Sequence, residues 1–373
     1  MENNNLLSIT VKDFCEIIRE QFQEGNYRPI FGLGKGGIGK TESIHDLAQE
    51  LGVGYIDIRL LLYSETDLKG IPYPNADHTK TIWLQNNILP TEEKDGKAGI
   101  LVFDEITSCS RSVRTAAYQL LNERRLGEYV LPDGWLVVCI GNGEDDGGDY
   151  EGMEGNFINR CSIYNVQPDI EAWKDWARSH DINSLVIGYV SWKPGDFHSY
   201  TPEAEGEMQF ASPRSWKAVS DILNKKGFHE DDRITLARIL GCLGTTVGQM
   251  FISFCKFSKD TVDPYSIIMN GAKPVIDKSE VLYITLSSVV KIVGDAVTKD
   301  VEQNNCASNN TLIMVANALN WILGLSKEVA VMGFKDLYSY NKNSMRSIFM
   351  SQQFQSVCPL LMQFAADNKE IFR

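Results

Sequence analysis

The first 170 residues alternate between short apolar runs and stretches with helical periodicity. Apolar runs at 28–32 and 100–103 predict buried strands, because a strand covered on both faces of a parallel sheet has few polar positions. The segments 7–23 and 41–51, which lie before and after the first of these runs, predict helices. This alternation is typical of an α/β fold with a parallel sheet.

A third helix is predicted after the second apolar run. Its apolar positions recur at the helical spacing and comprise Val113, Ala116, Ala117, Leu120 and Leu121. Next, 127–131 and 135–138 flank the turn sequence Pro132-Asp-Gly and predict a hairpin, whose second arm continues as a strand to Ile140. A last strand is predicted at 162–166.

The remaining residues predict helices only. Ser212 and Pro213 are typical of the N-cap and first position of a helix, which would bury Trp216 and Val219. Beyond about residue 260, the segments 279–299, 310–325 and 343–369 predict helices without a catalytic cluster. Their most apolar stretches contain Lys291, Asp295, Asn317 and Asn320, so they predict buried helices and no membrane span.

Composition narrows the possible partners. The formal charge of −13 and the pI of about 5.0 disfavour non-specific binding to a phosphate backbone, so a nucleic-acid partner is not expected. The eight cysteines are scattered without metal-binding spacing, which favours a reduced, cytoplasmic setting. The N-terminal residues lack the basic and apolar parts of a signal peptide.

The glycine-rich segment at 32–41 is the first candidate for chemistry. It follows a predicted strand, precedes a predicted helix and fits the pattern GxxxxGK[ST]. Such a loop turns backbone N–H groups towards phosphates, while Lys40 reaches the β and γ oxygens and the Thr41 hydroxyl binds Mg²⁺. The predicted nucleotide-binding residues are Gly34, Lys35, Gly36, Gly37, Ile38, Gly39, Lys40, Thr41 and Glu42.

Polar side chains follow two of the predicted strands. Asp104 and Glu105 end the run Ile100–Phe103, where Asp104 would hold magnesium through water and Glu105 would orient the attacking water. Asn142 follows the strand that ends at Ile140, and its amide could bind the water or the γ-phosphate if the two strands are neighbours. Thr41 and Asp104 are therefore the predicted metal ligands.

Two arginines complete the candidate site. Arg160 precedes the last predicted strand, and we expect it to project from a subunit edge and stabilise the γ-phosphate charge of a neighbouring subunit. Arg214 lies in the first turn of the helix after Ser212, from which it could reach back to the γ-phosphate from a separate helical lid. A helix N-terminus is an unfavourable place for a cation, which favours a functional role for it. Residues 145–155 are acidic and glycine-rich and predict a mobile loop.

In this order and spacing the motifs resemble the MoxR family of AAA+ ATPases, in the branch with a helix-2 insert. The likeness spans about Phe31 to Phe254; the segment 67–72 is similar to the insert, 125–135 to the pre-sensor hairpin and 210–216 to the sensor-2 helix. The resemblance implies an AAA+ P-loop parallel-sheet core with β-hairpin inserts, then an all-α lid and a helical C-terminal extension. We accordingly expect an N-terminal helix at 1–28, the core at 29–170, the lid at 171–260 and the extension at 261–373.

The resemblance also implies roles. Lys40 and Thr41 would be the Walker A pair, Asp104 and Glu105 the Walker B pair, Asn142 sensor 1, Arg160 the arginine finger and Arg214 sensor 2. Such proteins hydrolyse ATP with Mg²⁺ as ring oligomers, usually hexamers. They remodel or activate client proteins, and many work with a partner that carries a von Willebrand factor A domain.

Three alternatives remain open. Lys35-Gly-Gly-Ile-Gly-Lys-Thr41 also fits the deviant Walker A motif of ParA/MinD-type ATPases, which are dimeric switches, although a preceding helix and a following lid disfavour this. Related ring NTPases act on nucleic acid together with a nuclease, which the acidic charge disfavours. A nucleotide-gated scaffold would bind nucleotide with negligible turnover.

Overall fold

The computed structural model describes residues 7–84, 87–143, 160–200, 209–304 and 306–368. The chain divides into two compact units, Met1–Asp169 and Ile170–Arg373. The first contains a parallel sheet between helices, and the second contains helices and loops but no strand among its described residues. The predicted α/β core with a helical C-terminal part is therefore confirmed, whereas the further division at residue 260 stays a prediction.

A six-stranded parallel sheet forms the centre of the first unit. Its strands are β1 (Ser8–Thr10), β2 (Ile30–Leu33), β3 (Gly54–Arg59), β6 (Ala98–Asp104), β9 (Gly134–Gly141) and β10 (Ser162–Gln167). Their order in the sheet is β1-β10-β2-β9-β6-β3. Because all strands run in one direction, their carboxyl ends meet at one edge of the sheet, where ligands collect in such folds.

Helices cover both faces of this sheet. The helices α1 (Val11–Gln23) and α2 (Lys40–Leu51) bury Phe14, Ile44 and other apolar residues against one face. The helix α5 (Arg111–Glu123) packs its predicted apolar positions against the opposite face. Successive residues of β9 alternate between the two cores, as expected for a central strand buried on both sides.

Two sequence-based predictions in this unit are wrong. Residues Ser8–Thr10 form a strand that pairs with β10, so α1 begins only at Val11, after Thr10 has capped it through Asp13. The predicted hairpin around Pro132 is also absent: β9 joins the parallel sheet, and the short strand β8 (Tyr129–Val130) pairs with β7 (Arg125–Leu126). The turn therefore lies between β7 and β8, before Pro132.

The segment between β3 and β6 forms a separate insert. It contains a 3₁₀ turn at Leu60–Leu62, the short helices α3 (Glu65–Lys69) and α4 (Glu92–Asp95), and the antiparallel strands β4 (Ile71–Pro74) and β5 (Thr81–Leu84). Every residue of β4 and β5 is exposed. The part of the sequence that resembles a helix-2 insert thus comprises a helix followed by a projecting hairpin.

Helices alone build the described part of the second unit. The longer ones are Ile170–Ser179, Ser184–Trp192, Pro213–Lys226, Arg233–Leu243, Thr245–Lys256, Ser279–Asn304, Asn309–Ile322 and Lys327–Tyr340. The shorter ones are Pro264–Asn270, Lys342–Met350, Gln352–Val357 and Pro359–Asp367, with 3₁₀ turns at Pro194–Asp196 and Phe257–Asp260. The helix Lys327–Tyr340 was not predicted, and the single helix expected at 343–369 is three helices.

A buried ionic cluster joins the first helix of this unit to the helix Lys327–Tyr340. Asp336 accepts from Lys174 at 2.8 Å and from Arg178 at 2.5 Å. The side chains of Lys174 and Arg178 are 1% and 3% exposed, so water does not reach either cation. Their charges are therefore stabilised by the carboxylates and not by hydration.

The helix Ser279–Asn304 is the longest in the described part of the chain. By length and composition its segment Ser279–Gln303 could cross a membrane, but 50% of its most apolar window is buried against the rest of the protein. Val289, Val293 and Val297 lie in the core of the second unit, as a core helix requires.

Candidate functional site

The glycine-rich loop connects β2 to α2 at the carboxyl edge of the sheet. Gly37 and Gly39 have φ angles of 77° and 93°, which L side chains rarely adopt. A side chain at Gly34 would place its Cβ 2.1 Å from the Val166 carbonyl oxygen, so the sequence needs glycine where the loop leaves the strand. Ile38 is 6% exposed and anchors the loop in the core shared with α2.

Lys40 crosses back over this loop. Its Nζ donates to the carbonyl oxygens of Gly34 at 2.5 Å and Lys35 at 2.9 Å, and the residue is 8% exposed. The ammonium group is therefore held where the loop amides converge, and phosphate oxygens can replace these carbonyls as its acceptors. Lys35 takes part in this contact through its backbone carbonyl only. The role of its side chain in a dimeric switch stays a prediction.

The Thr41 hydroxyl and the Asp104 carboxylate meet across two elements. Thr41 Oγ1 donates to Asp104 Oδ2 at 3.0 Å, and the Glu105 backbone N–H donates to Asp104 Oδ1 at 2.7 Å. Oxygen atoms from a hydroxyl and one carboxylate fit Mg²⁺, which takes few protein ligands and keeps water and phosphate oxygens for the rest. The donor set is thus suited to a magnesium–nucleotide complex.

Glu105 occupies a strained turn directly after β6. Its φ angle is 55°, and its carbonyl accepts from the Ser108 N–H at 3.0 Å. Its carboxylate lies 3.9 Å from Arg59 Nε, with the two side chains 35% and 50% exposed. The carboxylate is accessible enough to meet a water molecule once it leaves Arg59.

The strand β3, which pairs with β6, adds to the candidate site residues that the sequence did not predict. Arg59 is the register partner of Asp104, and Asp57 lies two residues earlier on the same face of the strand. Local burial, and then the charge of Asp104, raise the pKa of the Asp57 carboxyl to about 6. The hydroxyl of Tyr55 donates to the Thr41 carbonyl at 3.4 Å, and burial raises its pKa. Only the register of β3 against β6 places these residues together.

Asn142 directly follows β9, which lies between the loop strand β2 and the acidic strand β6. A Cβ added at Gly36 would lie 3.8 Å from Asn142 Oδ1, so the amide faces the glycine-rich loop. The Gly141 carbonyl accepts from the Gly34 N–H at 3.1 Å, which fixes the end of β9 against that loop. The condition for the predicted role, that the two strands are neighbours, is met.

Arg160 lies elsewhere. It precedes β10, and Ser162 pairs with Ile30, the first residue of β2. The exposed Arg160 therefore stands at the amino edge of the sheet, whereas the glycine-rich loop leaves β2 at the carboxyl edge. Asn159 and the predicted loop at 145–155 fall outside the described residues.

Arg214 belongs to the second unit. It is exposed at the second position of the helix Pro213–Lys226, which Ser212 caps in a capping box with Ser215. The predicted helix and its buried Trp216 are confirmed, while a role for Arg214 on the γ-phosphate stays a prediction.

The structure thus gathers most of the predicted site at one edge of one sheet. Lys40, Thr41, Asp104, Glu105 and Asn142 come together there, although they lie in three separate parts of the sequence. The other predicted nucleotide-binding residues, including Gly37, Gly39 and Glu42, lie in the same loop or in the first turn of α2. The catalytic roles of these residues stay predictions.

No protein-family profile matches this sequence, and no curated protein matches it. Among solved structures it is similar to a candidate ATPase from Cytophaga hutchinsonii, at 13% identity over 95% of this chain and 90% of that chain, with a TM-score of 0.32. It is also similar to two point variants of RuvB from Thermotoga maritima. These have 11% and 12% identity over 79% and 80% of this chain and 77% of theirs, with TM-scores of 0.32. At such TM-scores the functional interpretation rests on the site itself.

Proposed function

We propose that this protein is a Mg²⁺-dependent ATPase of the AAA+ class. The observation that supports this most strongly is the Thr41 hydroxyl on the Asp104 carboxylate, beside a glycine-rich loop that Lys40 crosses. A hydroxyl, a carboxylate and a buried ammonium at the start of a helix offer matched partners for the metal and for the phosphates.

Each residue has a part in phosphoryl transfer, which depends mainly on positioning and charge neutralisation. Mg²⁺, when bound, would neutralise charge on the β and γ oxygens, with Thr41 and Asp104 holding it. Lys40 would neutralise further phosphate charge, Glu105 would orient the attacking water, and Asn142 would fix that water or the γ-phosphate. The position of β9 between β2 and β6 supports this assignment.

We further propose that the site is completed by a second copy of the chain. Arg160 is exposed at the sheet edge opposite its own glycine-rich loop, so it is suited to stabilise the γ-phosphate bound by a neighbour. A ring, of six subunits by the MoxR resemblance, would supply this arginine at each interface. Arg214 would act as the sensor-2 residue.

The same resemblance supports a cytoplasmic role in remodelling or activating a client protein, together with a von Willebrand factor A domain partner. The acidic charge of −13 fits a protein client better than nucleic acid. Turnover that rises with a client protein, and not with DNA, is the expected outcome.

ATP hydrolysis by the purified full chain tests the activity. Lys40→Ala should abolish nucleotide binding, and Glu105→Gln should retain binding while turnover falls by on the order of 10²- to 10⁴-fold. Glu123→Gln, an exposed glutamate at the end of α5, is the matched control and should keep normal turnover. Absence of Mg²⁺-dependent hydrolysis in the wild-type protein, or normal turnover in Glu105→Gln, would contradict the proposal.

A further inference from the structure

Within the part of the chain that the structure describes, one buried hydroxyl next to the candidate site has no hydrogen-bond partner. Thr107 is 1% exposed, and its Oγ1 has no hydrogen-bond partner among the described residues. An unpaired hydroxyl in a protein interior is destabilising, and valine would fill the same volume without that cost. A threonine at this position therefore calls for a functional explanation.

The surroundings of Thr107 connect it to the site. A Cβ added at Gly141 would lie 2.6 Å from Thr107 Oγ1 and 2.8 Å from its Cγ2, so the threonine packs directly on the residue before Asn142. Gly141 shares its sheet face with Cys139, the face that α5 covers, whereas Asn142 turns to the other face. Thr107 therefore packs against the end of β9 on the face that α5 covers, which is opposite to the face of Asn142.

The same turn holds a second unfavourable feature. Glu105 and Thr107 both belong to the turn that the Ser108 N–H closes on the Glu105 carbonyl at 3.0 Å, and Glu105 has a φ angle of 55°. A left-handed conformation costs a non-glycine residue free energy. One turn thus combines backbone strain at the candidate catalytic residue with an unpaired hydroxyl two residues later.

Asp104 fixes this turn in its strained form. Its Oδ1 accepts the Glu105 N–H at 2.7 Å, while its Oδ2 accepts from Thr41. A bound cation would compete for the two Asp104 oxygens that accept these bonds. Loss of the bond from the Glu105 N–H would allow the backbone of the turn to change.

We propose that Thr107 is a positioning residue whose hydroxyl gains a hydrogen bond only when magnesium–nucleotide is bound. The partner comes from the two segments that enclose it, the turn 105–108 or the end of β9 at 141–142. The new bond holds the turn in the form that moves the Glu105 carboxylate from Arg59 to the attacking water. This inference rests on the proposed ATPase function.

Replacing the hydroxyl by a methyl group tests this. Without nucleotide, Thr107→Val should raise the unfolding temperature because the unpaired group is gone. With Mg²⁺ and a non-hydrolysable ATP analogue, the same variant should bind about tenfold more weakly than wild type, the equivalent of one hydrogen bond of about 1.4 kcal/mol. The kcat of Thr107→Val should also fall. Thr107→Ser keeps the hydroxyl and should therefore have the nucleotide affinity and the kcat of the wild-type protein.

Thr285→Val is the matched control, since Thr285 is also fully buried but donates to the Val281 carbonyl at 2.8 Å. It should lower the unfolding temperature and leave nucleotide affinity unchanged. A purely structural Thr107 would give a valine variant with wild-type affinity and kcat, and that result overturns the inference. If the wild-type chain does not hydrolyse ATP, the proposed function fails instead.

Hydrogen exchange of the wild-type protein gives a test that needs no variant. The Ser108 amide, bonded to the Glu105 carbonyl in this structure, should change its exchange rate when the magnesium–nucleotide analogue binds. An exchange rate that stays the same at Ser108 while the amides of the glycine-rich loop become protected would also overturn the inference.

Discussion

Thr41 and Asp104, which are 63 residues apart in the sequence, share a hydrogen bond of 3.0 Å at the carboxyl edge of the sheet. Thr41 is the second residue of α2, the helix that follows the glycine-rich loop, and Asp104 ends the buried strand β6. The strand β9 lies between β2, which leads into the glycine-rich loop, and β6. Asn142, at the end of β9, faces this loop.

Removing the Thr41 hydroxyl should separate metal binding from phosphate binding. Thr41→Ala should weaken ATP binding in Mg²⁺ by about tenfold to a hundredfold, as expected for one bond to a charged partner. Binding in EDTA should be unchanged, because the loop amides and Lys40 remain. Calorimetric titration with and without Mg²⁺ measures both, and Thr41→Ser should behave as wild type. Equal weakening in the two conditions would count against the metal role.

Arg160→Ala should bind ATP normally and lose about 10³-fold or more in turnover, the usual effect of removing such an arginine. Mixing it with Glu105→Gln should restore part of the activity, because some interfaces then combine an intact Glu105 with an intact Arg160. The steady-state rate of the mixture, compared with each variant alone, is the measurement. Arg28→Ala, also near the amino ends of β2 and β10, is the control and should keep turnover. Normal hydrolysis by Arg160→Ala would show that the proposed role of Arg160 at a neighbour's site is wrong.

Asp57 should make stability depend on pH. Its folded-state pKa is raised to about 6 from the ordinary 3.8, mainly because the surrounding protein removes part of its hydration, although the residue is exposed, and then by the charge of Asp104. The folded state therefore binds the proton more tightly than the unfolded chain, so stability falls as the pH rises from about 4 to about 6 and stays lower above that. Asp57→Asn should remove this dependence and stabilise the protein at pH 8 by about 1 kcal/mol, a value reduced for the partial exposure of Asp57.

Thermal unfolding of both proteins at pH 5 and pH 8 checks this. The variant should gain more over wild type at pH 8 than at pH 5. An equal gain at both pH values would mean that the Asp57 carboxyl titrates normally in the folded protein.

Asp336 should be the most sensitive charged residue of the second unit. Asp336→Ala leaves the buried Lys174 and Arg178 with only Glu171 and Asp175 as partners, which should lower the free energy of unfolding by about 3 kcal/mol, the low end of the range for breaking a buried ion pair. Lys342→Ala removes an exposed partner of Asp175 and should cost less than about 1 kcal/mol. Urea denaturation compares the two, and similar costs would contradict the central place of Asp336.

The parts of the site that the sequence predicts are local in origin. Lys40 and Thr41 lie in a short motif between a strand and a helix, and Asp104 and Asn142 end apolar runs that must be central strands. Arg59 escaped notice because its place beside Glu105 depends on the register of β3 against β6, which no local pattern encodes. The same holds for Thr107, whose packing on Gly141 requires two neighbouring strands.

The errors of element assignment have equally specific causes. The strand Ser8–Thr10 is three residues long and exists only because β10 pairs with it, so its sequence is not distinguishable from the start of a helix. Tyr129–Val130 pairs with Arg125–Leu126 through a turn at Gly127-Glu128, which competes with the stronger turn sequence at Pro132. Tertiary pairing decided both cases.

The composition of β4 has a consequence for how the exposed hairpin meets other chains. Asn75 N–H donates across the hairpin to the Lys80 carbonyl, so the alternation of the antiparallel ladder turns the backbone nitrogens of residues 72 and 74 outward. Both are prolines, Pro72 and Pro74, and neither carries a hydrogen to donate. A strand from another chain would find carbonyl acceptors but no N–H donors along the outer side of β4. The prolines therefore disfavour aggregation of this exposed hairpin by strand pairing through β4.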